Sequence, residues 1–335
     1  MPDNGSKVVV VGASAGGVEA LTNLVRALPA DFAAPVLVVL HVPATGASVL
    51  PQILSRAGAL PARHAQDGNP LESGCIYVAP PNCHLLVQDG TASLTRGPRE
   101  NGHRPAIDPL FRTAAAAYGD HATGVILSGT LDDGTVGLFA IKEAGGATLV
   151  QDPDEALYPS MPSNAIAYVQ PDFILSVNDI ADTLVRLITA PTRRQPEEAV
   201  MIDPAPDPSA EQAQPGDLTP FSCPDCGGSL WETNAGQVSS FRCRVGHAYT
   251  INSLVARHGD AVERALWTAY RALEERAGLS RRVARRLADR GRADPAARFQ
   301  RQADASARQA EQLKRILDVI EAAPDAEGEE LAQAG

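Results

Sequence analysis

Three side chains of complementary chemistry stand directly behind apolar runs of the chain. Ser14 lies in Gly12-Ala-Ser-Ala-Gly-Gly17, just after Val8–Val11. His41 closes Val36–Leu40, and Asp132-Asp133-Gly134 follows Val125-Ile-Leu-Ser-Gly-Thr-Leu131. A serine hydroxyl attacks a carbonyl only when a neighbouring imidazole takes its proton, and a carboxylate holds that imidazole in the right tautomer. Glycines around Ser14 permit a tight strand-to-helix turn, and the helix that follows offers N–H groups and a positive dipole end to an oxyanion. Taken singly, each feature has a plainer reading: a serine in a glycine-rich turn or phosphate cradle, a satisfied histidine, an Asp-Gly turn. Only Gly12, Gly16 and Gly17 are present and no G-K-[ST] follows, which disfavours dinucleotide and P-loop readings. Coincidence on one rim favours the relay, with Asp132 or Asp133 as its acid.

A second group is Cys223-Pro-Asp-Cys226 with Cys243-Arg-Val-Gly-His247. Two sulfurs on a CxxC turn reach one ion, and a second knuckle supplies the remaining two tetrahedral ligands of a closed, structural zinc site. Gly227 and Gly228 relax the backbone beside the thiolates. The competing reading is a redox dithiol at Cys223 and Cys226. Cys75 and Cys83 are expected to be structural thiols, not nucleophiles; His84 and His103 are alternative bases, and Asp108, before Pro109, is expected to be a helix N-cap.

The elements that must carry these groups follow from patterning. The chain has 335 residues, 44% of them apolar, a formal charge of −11 and five cysteines. That length predicts more than one domain, and the apolar share supports a sizeable core. Acidity and 4% aromatics disfavour nucleic acid as a ligand. No apolar run approaches a membrane span and the N-terminus lacks a secretory pattern, so a cytoplasmic protein is expected. Short β-branched runs alternating with helical spacing predict an α/β fold, a doubly wound, mostly parallel, Rossmann-like sheet. Cys75–Ala79, Leu85–Val87 and Ala92–Leu94 are expected to form a small antiparallel meander inserted in it. Residues 191–218, rich in proline, predict a linker; two long helices over 259–290 and 295–321 predict a hairpin, and its arginines a solvated face or a docking surface for an acidic signalling protein.

Six ordered motifs carry a resemblance. Gly12–Gly17, His41-Val-Pro-Ala44, Tyr77-Val-Ala-Pro-Pro81, His103-Arg-Pro-Ala-Ile-Asp108, Ser128–Gly134 and Met161-Pro162 resemble the CheB-type catalytic domain of chemotaxis protein-glutamate methylesterases, over about Lys7 to Leu187. The resemblance implies a serine esterase needing no cofactor, with Ser14 as nucleophile, His41 as base and Asp133 as the third member. It implies hydrolysis of glutamyl methyl esters, and in some members glutamine deamidation, on chemoreceptors or another methylated signalling protein. The family's usual N-terminal receiver is not expected here, Ala15 replaces a common Thr, and Thr130 stands where Met is frequent. The expected organisation is esterase domain 1–190, linker 191–218, zinc-ribbon-like module 219–257, helical hairpin 258–322 and tail 323–335. The alternative is a signalling scaffold whose zinc module and hairpin bind a partner while the esterase domain acts on an unidentified protein substrate or is inactive.

Overall fold

The computed structural model describes residues 6–46, 48–190, 216–236 and 238–322. The expected linker, save its last three residues, and the expected tail lie outside these. Two compact units divide at Leu254.

Seven strands form the central sheet of the first unit. In chain order they are β1 (Val8–Ala13), β2 (Val36–Leu40), β3 (Ala62–His64), β4 (Ile76–Val78), β7 (Ala122–Ile126), β8 (Ala147–Gln151) and β9 (Phe173–Leu175). All neighbours pair in parallel, in the order β3-β4-β2-β1-β7-β8-β9. Strands this apolar suit a sheet covered on both faces. One face packs against α1 (Gly17–Ala27), α2 (Leu50–Ala57) and α6 (Val177–Thr189) through Leu21, Leu24, Leu54 and Leu184. The other receives α3 (Ile107–Tyr118), α4 (Thr135–Glu143) and α5 (Ser160–Val169) through Phe111, Leu138 and Ala165. The chain order reverses between β2 and β7 around β1, and crevices at such switch points hold ligands.

The insertion is smaller than the expected meander. Only β5 (His84–Gln88) and β6 (Thr91–Thr95) pair antiparallel, turning at Asp89-Gly90; the Cys75–Ala79 run instead supplies β4 to the parallel sheet. Its flanking turns resemble hairpin punctuation, but its side chains are buried on both faces, which a meander strand does not require.

Residues 217–250 build an antiparallel sheet of β10 (Asp217–Ser222), β11 (Ser229–Ala235), β12 (Val238–Cys243) and β13 (Ala248–Thr250). Helix α7 (Ile251–Ala288) follows without a break, so the first helix begins eight residues earlier than its periodicity suggests. In the second unit α7 turns at Gly291 into α8 (Ala293–Ala322). Lys314 of α8 stands 4.8 Å over the Trp267 ring of α7, and Ala296, Ala303, Ala310 and Leu317 are buried at seven-residue intervals. That spacing keeps one seam of α8 against its partner. No described helix is long and apolar enough to cross a membrane.

Candidate active site

The sheet's rim gathers the three predicted groups into one hydrogen-bonded chain. Ser14 follows β1 at the head of α1, where Gly16 adopts φ +72° and a Cβ on it would lie 2.6 Å from the Ser128 hydroxyl. Gly129 is equally constrained: a Cβ there would meet Ser14 Cβ at 2.9 Å and Met161 Sδ at 2.7 Å. The Ser14 N–H donates to the Ser128 carbonyl at 3.0 Å. Ser14 Oγ lies 3.0 Å from His41 Nδ1, and His41 Nε2 lies 2.7 Å from Asp133 Oδ2. An ionised Asp133 therefore places the imidazole proton on Nε2 and leaves Nδ1 to accept from Ser14.

Asp133 is buried, yet its carboxyl is held below the usual range. Burial acts to raise it; hydrogen bonds from His41 and from the Ile107 N–H at 2.7 Å prevail, with the Asp108 N–H adding a third at 3.2 Å. Asp133 thus caps the N-terminus of α3. Asp108 returns the favour: its Oδ1 accepts the Gly137 N–H of α4 at 2.7 Å. This corrects the expected N-cap role, for α3 begins at Ile107, with Ala106 as its cap residue, and the Asp108 side chain serves the neighbouring helix instead. Burial, and then the Asp133 charge, push the Asp108 carboxyl well above the ordinary value, while Asp133 is held low.

Asp132 is turned away from His41. It accepts from the hydroxyls of Thr250 and Ser253 and from the Asn252 N–H at 3.2 Å. Sequence alone gives no sign of Asn101, whose Nδ2 donates to Asp133 Oδ1 at 2.8 Å and to Asp108 Oδ2 at 2.9 Å. A polar residue in a loop carries no periodic signal, and these partners lie 7 and 32 residues away. His103 stacks on His41, centroids 3.7 Å apart and planes within 5°. A cavity of about 330 Å³ opens beside the pair, with Val42, Pro43, Arg99 and Arg104 among its walls. His84 is buried elsewhere, its Nδ1 accepting the Ala106 N–H at 3.3 Å and its Nε2 lying 2.9 Å from the Pro98 carbonyl. Cys75 is buried under the sheet and burial pushes its thiol up, while Cys83 is half-buried. A hydroxyl next to an accepting imidazole, with an ionised carboxylate behind it and a helix N-terminus ahead, can form and hydrolyse an acyl-serine.

Comparison with known proteins meets this geometry. The family model described as CheB methylesterase matches residues 9–184. The chain belongs to the CheB methylesterase family. A putative protein-glutamate methylesterase/protein-glutamine glutaminase of Leptospira interrogans is 41% identical over 182 residues, 54% of this chain and 94% of that protein. A protein-glutamate methylesterase/protein-glutamine glutaminase of Anaeromyxobacter dehalogenans is 44% identical over 180 residues, 53% of either chain. The crystal structure of the Thermotoga maritima CheB methylesterase catalytic domain superposes with a TM-score of 0.52 at 33% identity, covering 54% of this chain and 98% of that one. All three likenesses leave almost half of this chain outside the matched length, and the family model ends at residue 184, ahead of the ribbon and hairpin.

In that unmatched part the four metal-ligand candidates converge. Cys223 Sγ and Cys243 Sγ lie 3.7 and 3.6 Å from His247 Nδ1, and Cys226 Sγ lies 3.7 Å from Cys243 Sγ. Zinc–sulfur bonds near 2.3 Å and zinc–nitrogen bonds near 2.0 Å give tetrahedral edges of about 3.5–3.8 Å. All four donor atoms lie within 4.8 Å of one another, a set that could hold one such ion. The Gly227 N–H returns to the Cys223 carbonyl at 2.7 Å, and the Gly246 N–H to the Cys243 carbonyl at 2.9 Å, closing both knuckles.

Proposed function

We propose that this chain hydrolyses the γ-methyl esters of glutamate side chains on methylated chemoreceptors, through Ser14, His41 and Asp133. The observation that carries the reading is the unbroken hydrogen-bond chain Ser14 Oγ, His41 Nδ1, His41 Nε2, Asp133 Oδ2 in a member of this family. Ser14 Oγ gives its proton to His41 Nδ1 as it bonds the ester carbonyl carbon. The tetrahedral oxyanion forms near the N-terminus of α1. Its collapse breaks the carbon–methoxy bond; the proton on Nδ1 passes to the leaving oxygen, and methanol departs. A water molecule then loses a proton to Nδ1 as it bonds the acyl carbon. Collapse of this second intermediate breaks the bond to Ser14 Oγ, which takes the proton back from Nδ1. The glutamate product leaves, releasing its own proton to solvent. Asp133 stays ionised and orients the ring. A glutamine side chain would follow the same route with ammonia as leaving group, as the relatives' names suggest.

The esterase domain is assigned to residues 1–190, acting in the cytoplasm on receptors presented there. The cluster Cys223, Cys226, Cys243 and His247 is assigned as a structural zinc site in a module ending near Leu254, ahead of the helical hairpin. All four ligands come from protein, so the ion orders the fold and takes no part in ester chemistry. Ser14→Ala decides the catalytic reading: methanol release from methylated receptor is expected to fall by roughly 10⁴-fold or more. An unchanged rate would remove Ser14 from the mechanism.

A further inference from the structure

The ribbon's last strand and the first turn of α7 are seated on the acid end of this relay, and one side chain joins the two. Residues 99–101 run along β13: the Asn101 N–H donates to the Ala248 carbonyl at 2.7 Å, and Glu100 pairs with Ala248 in parallel. Glu100 is clamped from both sides, by Arg112 of α3 at 2.8 Å and Arg242 of β12 at 3.7 Å. Asp132, next to Asp133, receives the Thr250, Ser253 and Asn252 donors at the head of α7.

Asn101 itself is 3% exposed, at φ +52°. Both N–H bonds of its amide are committed to carboxyls, Asp133 and Asp108. Its oxygen must then face a donor, and the donor present is the Thr250 N–H at 2.8 Å, from the ribbon; the single proton of the Thr250 hydroxyl goes to Asp132. An amide has two donors on one side and an acceptor on the other, so the ribbon dictates which way Asn101 points. Two residues on, His103 stacks against the His41 ring.

We propose that Asn101 is a positioning residue through which the metal ribbon orients the Asp133–His41 pair, so that metal held by Cys223, Cys226, Cys243 and His247 sets the rate of ester hydrolysis. This rests on the esterase and zinc readings given above. A ribbon that serves only as an adhesive cover would share the interface with Asp132 but would leave the relay indifferent to the ion. Coupling follows from the amide: with Thr250 withdrawn, Asn101 Oδ1 loses its donor inside a buried site, where an unpaired polar atom is costly, and the side chain turns. Asp133 then loses a donor. A carboxylate with fewer donors holds the imidazolium more tightly, which moves the acid limb of kcat/KM to higher pH. The charged and titratable groups facing Asp133 are His41, His103, Asp108, Asp132, His84 and, behind them, the Glu100–Arg112 pair.

The test uses the full chain, with zinc content, steady-state methanol release on methylated receptor, and the proton resonance of His41 Nε2–H followed together. Asn101→Ala is expected to lower kcat about 10- to 100-fold, as loss of a buried hydrogen bond to a charged group does, with KM within about twofold. Its acid limb moves up and the His41 resonance shifts. Stripping zinc from the wild type is expected to reproduce all three changes, and added zinc to reverse them. In Asn101→Ala, stripping should add little. Thr250→Val with Ser253→Ala loosens the ribbon from Asp132 without touching the metal ligands, and should move kcat and the acid limb in the same directions. A kcat and pH profile indifferent to verified zinc removal overturns the proposal, as do fully multiplicative losses from Asn101→Ala and zinc removal. Protein that neither contains nor takes up zinc overturns the metal reading and with it zinc control of the rate; the Thr250→Val/Ser253→Ala result then decides whether the ribbon positions Asn101. No kcat change in that variant rejects the positioning role. Methanol release that survives intact in Ser14→Ala would instead point to failure of the esterase reading.

Discussion

The seven-stranded sheet buries valine and leucine on both faces, whereas the ribbon closes over six side chains, two of them cysteines. The large sheet holds Ser14 and His41 on strand ends fixed by the neighbours of β1 and β2. The ribbon has too little core to order itself, since burial scales with size and so small a unit leans on a ligand. The proposed chemistry therefore sits on the large region and the proposed metal site on the small one. The two meet at Asn101 and Asp132, through which the proposed influence of the ion would pass.

That division can be broken most forcefully at the metal. Structural zinc supplies roughly 10–16 kcal/mol of apparent binding energy in small domains, most of it spent on folding. Chelation is expected to unfold residues 217–250, with Trp231 emission shifting to the red and new protease cuts in β10–β13, while the parallel sheet keeps its own melting transition. One cooperative melt that moves as a whole would show that the regions are not separable.

Asp133→Asn comes next in size. Its effect should be chemical: about 10⁴-fold off kcat, through the wrong imidazole tautomer, with zinc content unchanged. The smallest effect concerns the carboxyl pair and stability. Asp133, held low, contributes stability present above its unfolded value, near 3.9, that is lost as pH falls through its folded value. Asp108, held high, works in the other direction: the unfolded chain releases that proton first, so stability declines as pH rises from about 3.9 through the folded value. Asp108→Asn is expected to remove that decline, read as melting temperature against pH, without altering the metal dependence of the ribbon.

Much of the large sheet is legible in the chain because strands buried on both faces are written as unbroken apolar runs. Val8–Val11, Val36–Leu40 and Val125–Leu127 carry that signature, and side chains at their ends mark the rim. Strands β3 and β9 do not: three residues each, only partly buried, they are defined by their neighbours and not by composition. Asp108 misleads for a different reason. Asp-Pro is good helix-start chemistry, but which helix a carboxylate caps depends on where α4 arrives in space, 29 residues later in the chain. Asn101 is invisible for the same cause, since its oxygen answers to Thr250, 149 residues onward. The cysteine spacing announces itself because metal geometry constrains ligands within a turn of one another; the seat of that ribbon on Asp132 has no local trace.

The ring orientation of His41 has a consequence for chemical labelling. Nδ1, the nitrogen nearer the main chain, faces Ser14, while Nε2 faces Asp133. An alkylating analogue of the ester, seated on Ser14, meets Nδ1 first. The modified residue would be the Nδ1-substituted regioisomer, and not the Nε2 isomer that results where the outer nitrogen faces the nucleophile. Fragmentation of the labelled peptide distinguishes the two isomers, so the identity of the adduct records which edge of the imidazole handles the proton.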